Sequence, residues 1–432
     1  MKFRYSLLAF ISAVILFVAC RKDKEEHVPA APQIISSGVA GDKDTVTVGE
    51  TVVLHPVTGV KEGTSYSWAV NGTQVGTDSV YTFTGTDRGV YTILFNITNV
   101  SGSSSVTYTI VVYGKYENGF FIANEGWFGT EPSSVSFYRY GADTLELDIY
   151  KKENPTNNIG ARASNLQYAT IHNGRMYLVN KVGGSVIAVD AYTHKEIARS
   201  ATGNWLALTA IDDTKGLVTS TTGVHPIDLN TMTIGTAIAG VTGSMGDILK
   251  AGNYVFAIRA SGTGAGAVIL NASDYSIVKT IKNVRMGFAQ TPDGNVWCAS
   301  STGYVFKIDA TTASYDSTLV TYTIPSNSPW QSTGITASTT ENVVFIRSGK
   351  NIYKFPNTLN TPFCSIASDR QFYGKGIGYD PMSKQLVAMT IKGFGTNSAF
   401  NDLLFIDPVT AVLNKKISYE HIYFPAMAVF HQ

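Results

Sequence analysis

The sequence predicts an all-β chain in two folded parts. Short runs of β-branched and aromatic residues, bounded by Gly- and Asp/Thr-containing turns, recur along most of its length; such runs read as strands. The composition agrees, with 40 glycines, 23 tyrosines and 21 phenylalanines against only 15% charged residues. A length of 432 residues exceeds one ordinary domain, and 44% hydrophobic residues are ample for a core. The formal net charge of +1 gives bulk electrostatics no role in binding nucleic acid or a membrane surface.

Residues 1–20, MKFRYSLLAFISAVILFVAC, read as a leader rather than as fold. Lys2 and Arg4 make a basic start, and the apolar run from Leu7 to Ala19 is short for a membrane span. Phe17-Val18-Ala19-Cys20 resembles a bacterial lipobox, which implies a signal peptide and lipidation of Cys20 as the first mature residue. Ordinary secretion with an incidental cysteine is the alternative. Residues 21–30 form a solvated tether. Its Asp23, Glu25 and Glu26 resemble the surface-export signal of Bacteroidetes-type lipoproteins, although a plain charged linker reads the same way. On the lipoprotein reading the protein sits at the outer membrane and cell surface, held by its lipid alone.

Residues 31–114 carry strands at short intervals, TVTVGETVVLHPV, SYSWAVNG, SVYTFTG, GVYTILFNITN and SSVTYTIVVYG, the spacing of a β-sandwich. Trp68 falls where such a sandwich needs a large core aromatic. The region resembles PKD and related Ig-like modules of bacterial surface proteins, and a spacer is the expected role. In the rest of the chain Cys298 and Cys364 lie in the apolar runs VWCAS and PFCSI. They can pair or stay as buried free thiols, and no Cys/His spacing suggests a metal site.

From 116 to 432 one phrase repeats: a strand ending in an aliphatic residue and Asp or Asn, then a Thr/Ser-rich turn. It reads AVDAYT (188–193), PIDLNT (226–231), ILNASD (269–274), KIDATT (307–312) and FIDPVT (405–410), with weaker copies FYRYGADT (137–144) and YKFPNT (353–358). The Asp or Asn is placed to cap its own turn. A period of about 45 residues is that of four-stranded propeller blades. With strands A to D in each copy, the A strands are LQYATI, LALTAI, GDILKA, MGFAQT, TGITAS, GIGYDP and PAMAVF. The first copy, FFIANEG, SSVSFYRYG and LELDIY, lacks an A strand, and PAMAVFHQ (425–432) lacks B to D. Together they complete one blade, which predicts a seven-bladed β-propeller closed by the C-terminal strand, with its sheet edges protected.

The run MYLVN…SVIAVDAYT closely follows the YVTN-type repeat of bacterial seven-bladed propellers. The opening ENGFFIANEGWFGTEPSSVSFYRY and the later NIGARASNLQYATIHNGRMYLV resemble a narrower family of Bacteroidetes-type surface lipoproteins, in which a propeller often follows a PKD-like domain. The resemblance covers the propeller, about three quarters of the chain. It implies a corrinoid ligand, cobalamin, passed to a TonB-dependent outer-membrane transporter, as in the best characterised relatives.

The residues themselves offer little for catalysis. The seven histidines are scattered without HExxH, there is no GxSxG, and SGTGAGAV (261–268) joins two strands as a hairpin loop rather than a phosphate cradle. Glu125 and Asp247 are two carboxylates that can face one another across a cleft. A binding protein, not an enzyme, with no cofactor, is therefore expected. In a propeller the D-to-A and B-to-C loops share one face. Ligand-binding candidates there are Arg162, Asn165, Trp205, Arg285, Trp330, Tyr373 and Lys375 from D-to-A loops, and Glu125, Trp127, Phe128, Arg259 and Arg347 from B-to-C loops. Met245, Gln331, Tyr423, Lys181, Lys392 and Phe394 share these loops. Flat aromatics beside fixed polar groups suit recognition. Trp205 and Trp330 can instead pack between blades, and Arg259 and Arg347 can bridge them. A scaffold gripping a protein or glycan uses the same face and is the alternative to small-molecule capture.

Overall fold

The computed structural model describes residues 27–431 apart from 60, 263 and 326–333. Cys20, Trp330 and Gln331 lie outside the described residues. The chain divides into two compact units, Met1–Tyr113 and Gly114–Gln432.

In the first unit a five-stranded sheet runs in the order Lys43–Thr47, Gly102–Tyr113, Gly89–Asn99, Ser65–Val70 and Thr73–Gly76. Two short pairs accompany it: Thr51–Leu54 with Tyr81–Thr84, and Ile34–Ser36 with Val57–Thr58. The two long strands alternate strictly. Ile93, Phe95 and Ile97 point inward from one, and Tyr108, Ile110 and Val112 from the other, as a half-buried antiparallel sheet requires. Trp68 is fully buried among them, packs on Phe95 and donates from Nε1 to the Asp78 carbonyl at 2.8 Å.

The second unit contains, among the described residues, seven antiparallel sheets of three or four strands. Their leading strands are Asn165–His172, Trp205–Ala210, Met245–Ala251, Val284–Gln290, Ile335–Ala337, Gln371–Tyr379 and Pro425–Phe430. Each packs beside the leading strand of the next sheet, and Pro425–Phe430 packs beside both Gln371–Tyr379 and Asn165–His172, so the row returns on itself. Pro425–Phe430 pairs with Gly119–Asn124, which pairs in turn with Ser134–Arg139. The two chain fragments that each lacked strands thus share one sheet.

Burial falls from inside to outside. Gly119–Asn124 and Leu386–Ile391, second strands in their sheets, are buried at every position. Tyr315–Leu319, an outermost strand, is exposed at every position. Stacked repeats behave this way, because each sheet covers both faces of its neighbours.

The repeat's turns form as expected. The Asp190 side chain accepts from the backbone N–H groups of Tyr192 and Thr193 at 3.0 and 2.7 Å. Asp228, Asn271, Asp309 and Asp407 make the same local bonds. The expected strand LELDIY does not form. Glu146 makes one isolated bridge to Phe137, and Asp148 turns into the left-handed region. Ile149–Glu153 is then a short helix, which buries Ile149 and Tyr150 side by side where a strand would send them to opposite faces. Cys298 and Cys364 are free thiols, the first buried and the second partly so.

Candidate functional site

The loop after Gly119–Asn124 brings Glu125 beneath the loop face, where it is 6% exposed. Its carboxylate is fully engaged. Lys181 Nζ lies 3.0 Å from Oε1, while Gln167 Nε2 donates to Oε2 at 2.5 Å and the Tyr373 hydroxyl donates to the same oxygen. Its carbonyl accepts from Ser133 Oγ at 2.8 Å and from Asn165 Nδ2 at 3.3 Å. Burial lowers the Lys181 pKa while Glu125 opposes that shift, and burial together with the Glu125 charge pushes the Tyr373 hydroxyl well up. A buried ion pair is tolerable only when such hydrogen bonds complete it.

Above this layer sits an aromatic ledge. Gly126 N–H donates to the Tyr423 carbonyl and Glu125 N–H to that of Phe424, which joins the GWFGTEPS loop to the segment before the C-terminal strand. Trp127 and Tyr423 rings lie 5.6 Å apart, and Phe424 lies 4.7 Å from Tyr373 and 6.0 Å from Phe394. Phe394 and Phe128 remain 64% and 56% exposed.

The other predicted residues separate from this group. Arg162 is exposed and takes part through its carbonyl, which accepts from Gly129 N–H. Trp205 follows its packing alternative: it lies edge-on to His225 and against the apolar cluster of Tyr177, Leu208 and Val218. Arg259 donates to the Gly240 carbonyl, and Arg285 to the carbonyls of Arg259 and Ala260, so both tie loops together. Asp247, the other carboxylate singled out with Glu125, accepts from Phe288 N–H at 3.0 Å.

Arg347 is 9% exposed and clamps backbone. It donates from Nε to the Lys375 carbonyl at 3.1 Å and from an Nη to the Gly374 carbonyl at 2.5 Å, and burial lowers its pKa to about 10. What it clamps is a bulge. In Gln371–Tyr379 the pairing jumps from Phe372↔Thr390 to Ile377↔Ala388, so Tyr373, Gly374, Lys375 and Gly376 stand opposite Met389 alone. Gly374 and Gly376 have φ of 54° and 68°. A Cβ on Gly374 would lie 2.3 Å from the Ala426 carbonyl oxygen, so only glycine fits. Bulges re-aim side chains, and this one sends Tyr373 to Glu125 and Lys375 into the channel.

A cavity of about 420 Å³ lies within the ring of leading strands. Its walls come from their middles and carboxyl ends: Tyr168 to Ile171, Asp247 to Leu249, Phe288, Lys375, Tyr379 and Met427 to Phe430. Of the predicted ligand-binding residues, Lys375 is the one among its described lining. Gln167, Phe424, Tyr168, Phe288 and Met427 were missed by sequence reasoning. The available signal was polar and aromatic residues interrupting A strands, as in LQYATI and MGFAQT. Among the described residues no group of three His, Cys, Asp or Glu is placed to hold a metal, and no helix is long and apolar enough to cross a membrane.

Residues 118–431 match the family model described as Domain of unknown function (DUF5074). The chain belongs to this family. No curated protein matches it. Among solved structures, a quinonprotein alcohol dehydrogenase-like protein from Bacteroides thetaiotaomicron is similar over 93% of this DUF5074 chain and 100% of that one, at 17% identity and a TM-score of 0.61. BamB from Moraxella catarrhalis is similar over 70% of this chain and 83% of that one, at 13% identity and a TM-score of 0.41. The first likeness is one of fold, and the second is too remote to build on. Family and fold together make this a β-propeller-like protein of the DUF5074 family.

Proposed function

We propose that this DUF5074 protein captures a ligand on its loop face. The observation that supports the reading best is the aromatic ledge of Trp127, Tyr423, Phe424 and Phe394 above the buried Glu125 layer. Partly exposed Trp127, Tyr423 and Phe394, backed by the buried Phe424 and the bonded Glu125 carboxylate, offer apolar area for binding. In this reading the seven sheets are the blades of a propeller closed by Pro425–Phe430, and the first unit is an Ig/PKD-like spacer. Lipidation of Cys20 anchors both at the outer membrane, facing outward.

By resemblance the ligand to test first is a corrinoid, destined for a TonB-dependent transporter. The cavity of about 420 Å³ is small for so bulky a molecule, so a corrinoid would rest on the ledge. Titration calorimetry with cyanocobalamin should give saturable binding, weakened at least ~10-fold by Trp127→Ala or Phe394→Ala. Absence of heat with any corrinoid would discard that ligand. The exposure of Phe128 and Phe394 fits a second reading, a protein or glycan scaffold. In that case the same two variants would weaken partner binding and leave corrinoids irrelevant.

A further inference from the structure

Among the described residues, Lys375 is a feature of the second unit that its folding does not explain. Its ammonium makes no hydrogen bond or ion pair with any described residue, although it lines a cavity inside the ring of strands. Burial lowers its pKa, with Asp247 opposing that shift, so the position works against the charge that the side chain carries. Three separate devices nevertheless hold it there: a four-residue bulge, two glycines in the left-handed region, and the guanidinium of Arg347 on the carbonyls of Gly374 and Lys375. A lysine needed only for solvation has no use for such a mount, since any exposed loop would serve. Lys375 is half-buried, and an ammonium that faces a cavity without a described partner leaves room for one that arrives from outside.

Among its described lining the same cavity carries one group of the opposite sign, Asp247, whose carboxylate accepts from Phe288 N–H, together with the apolar Leu249, Phe288 and Met427. A simple anion would meet Lys375 favourably and Asp247 unfavourably, and a simple cation the reverse. A molecule with both charges and no net charge satisfies the two together. The volume of about 420 Å³ lies within the range of small-molecule sites. We propose that the channel cavity is a second binding site, for an α-amino acid with an apolar side chain. Its carboxylate pairs with Lys375 Nζ, its ammonium lies towards Asp247, and its side chain packs on Phe288 and Met427.

This site is separate from the loop face and stands or falls without it. The experiment titrates the purified chain with L-leucine and L-phenylalanine, and in parallel with 4-methylpentanoate and 3-methylbutylamine, which each keep one of leucine's two charges. Saturable binding of an amino acid is expected, with both single-charge analogues at least ~10-fold weaker. Lys375→Met and Asp247→Asn should each weaken amino-acid binding by a similar factor. The proposal is overturned if neither amino acid binds below ~10 mM. It is also overturned if a single-charge analogue binds as well as leucine, or if folded Lys375→Met binds as the parent does. The analogue series uses the parent protein, so it decides the matter even where a variant does not fold.

Discussion

Lys181 and Lys375 both leave strands of the second unit for its interior, and they meet opposite conditions. Lys181 finds Glu125 at 3.0 Å, in a layer where Gln167 and Tyr373 complete the carboxylate. Lys375 finds open cavity. One cation is part of the fold, bonded before any ligand comes near. The other is held in place by its bulge and the Arg347 clamp, and its ammonium has no described bonding partner. Polar groups that satisfy one another make a floor, and polar groups held apart make a receptor.

The contrast is broken most directly by deleting each charge. Lys181→Met strands the Glu125 carboxylate in a buried site and should lower unfolding free energy by about 3–5 kcal/mol. Lys375→Met removes an unpaired charge and should leave stability unchanged or raise it by up to ~1 kcal/mol. Chemical denaturation of both variants checks the pair, and equal losses would erase the distinction between them.

A somewhat smaller effect is expected where the two layers share a mount. Gly374→Ala forces a side chain into the left-handed region and onto the Ala426 carbonyl, at a cost of about 3 kcal/mol or less if the bulge relaxes. Because Tyr373 and Lys375 flank that glycine, both layers should suffer. Thermal unfolding together with amino-acid titration would reveal damage to only one of them.

The smallest effect sharpens the contrast without touching the fold. Burial disfavours the charged form, so the Lys375 ammonium should titrate below 10.5 in the free protein. Unfolding returns it to the ordinary value. Between the two values the unfolded chain holds more protons, so this lysine's contribution makes stability rise with pH. A carboxylate bound at Nζ favours the charged form and should move the titration back up. NMR of ¹³C-dimethylated protein, with Lys375→Met for assignment, follows both steps, and a resonance indifferent to saturating leucine would count against the cavity site.

How much of this could be read in advance depended on the range of the interactions concerned. Asp190, Asp228 and Asp309 bond within three residues of themselves, so their turns were visible in the repeat. The pairing of PAMAVF with FFIAN spans the whole unit, yet it was legible because each fragment lacked what the other supplied. Glu125 was named as a loop residue, but its partners Gln167 and Lys181 come from other strands and carry no local mark. Lys375 is expected in a loop at the channel mouth, and it stands instead within the strand Gln371–Tyr379, where a bulge sets it in the cavity lining. Arg347 follows its bridging alternative: from Val344–Ser348 it donates to the Gly374 and Lys375 carbonyls of the next sheet's leading strand.

The sheet shared by Gly119–Asn124 and Pro425–Phe430 also sets an order of events. Contacts across some three hundred positions are among the slowest to form, because loop entropy must be overcome before they contribute. During synthesis or export, the strand that begins the unit waits with one edge open until the strand that finishes it has emerged. Removing a handful of residues after position 424 would therefore do more than trim a terminus. It would leave the opening strand without the partner it has waited for, and a waiting edge is what other chains recognise first.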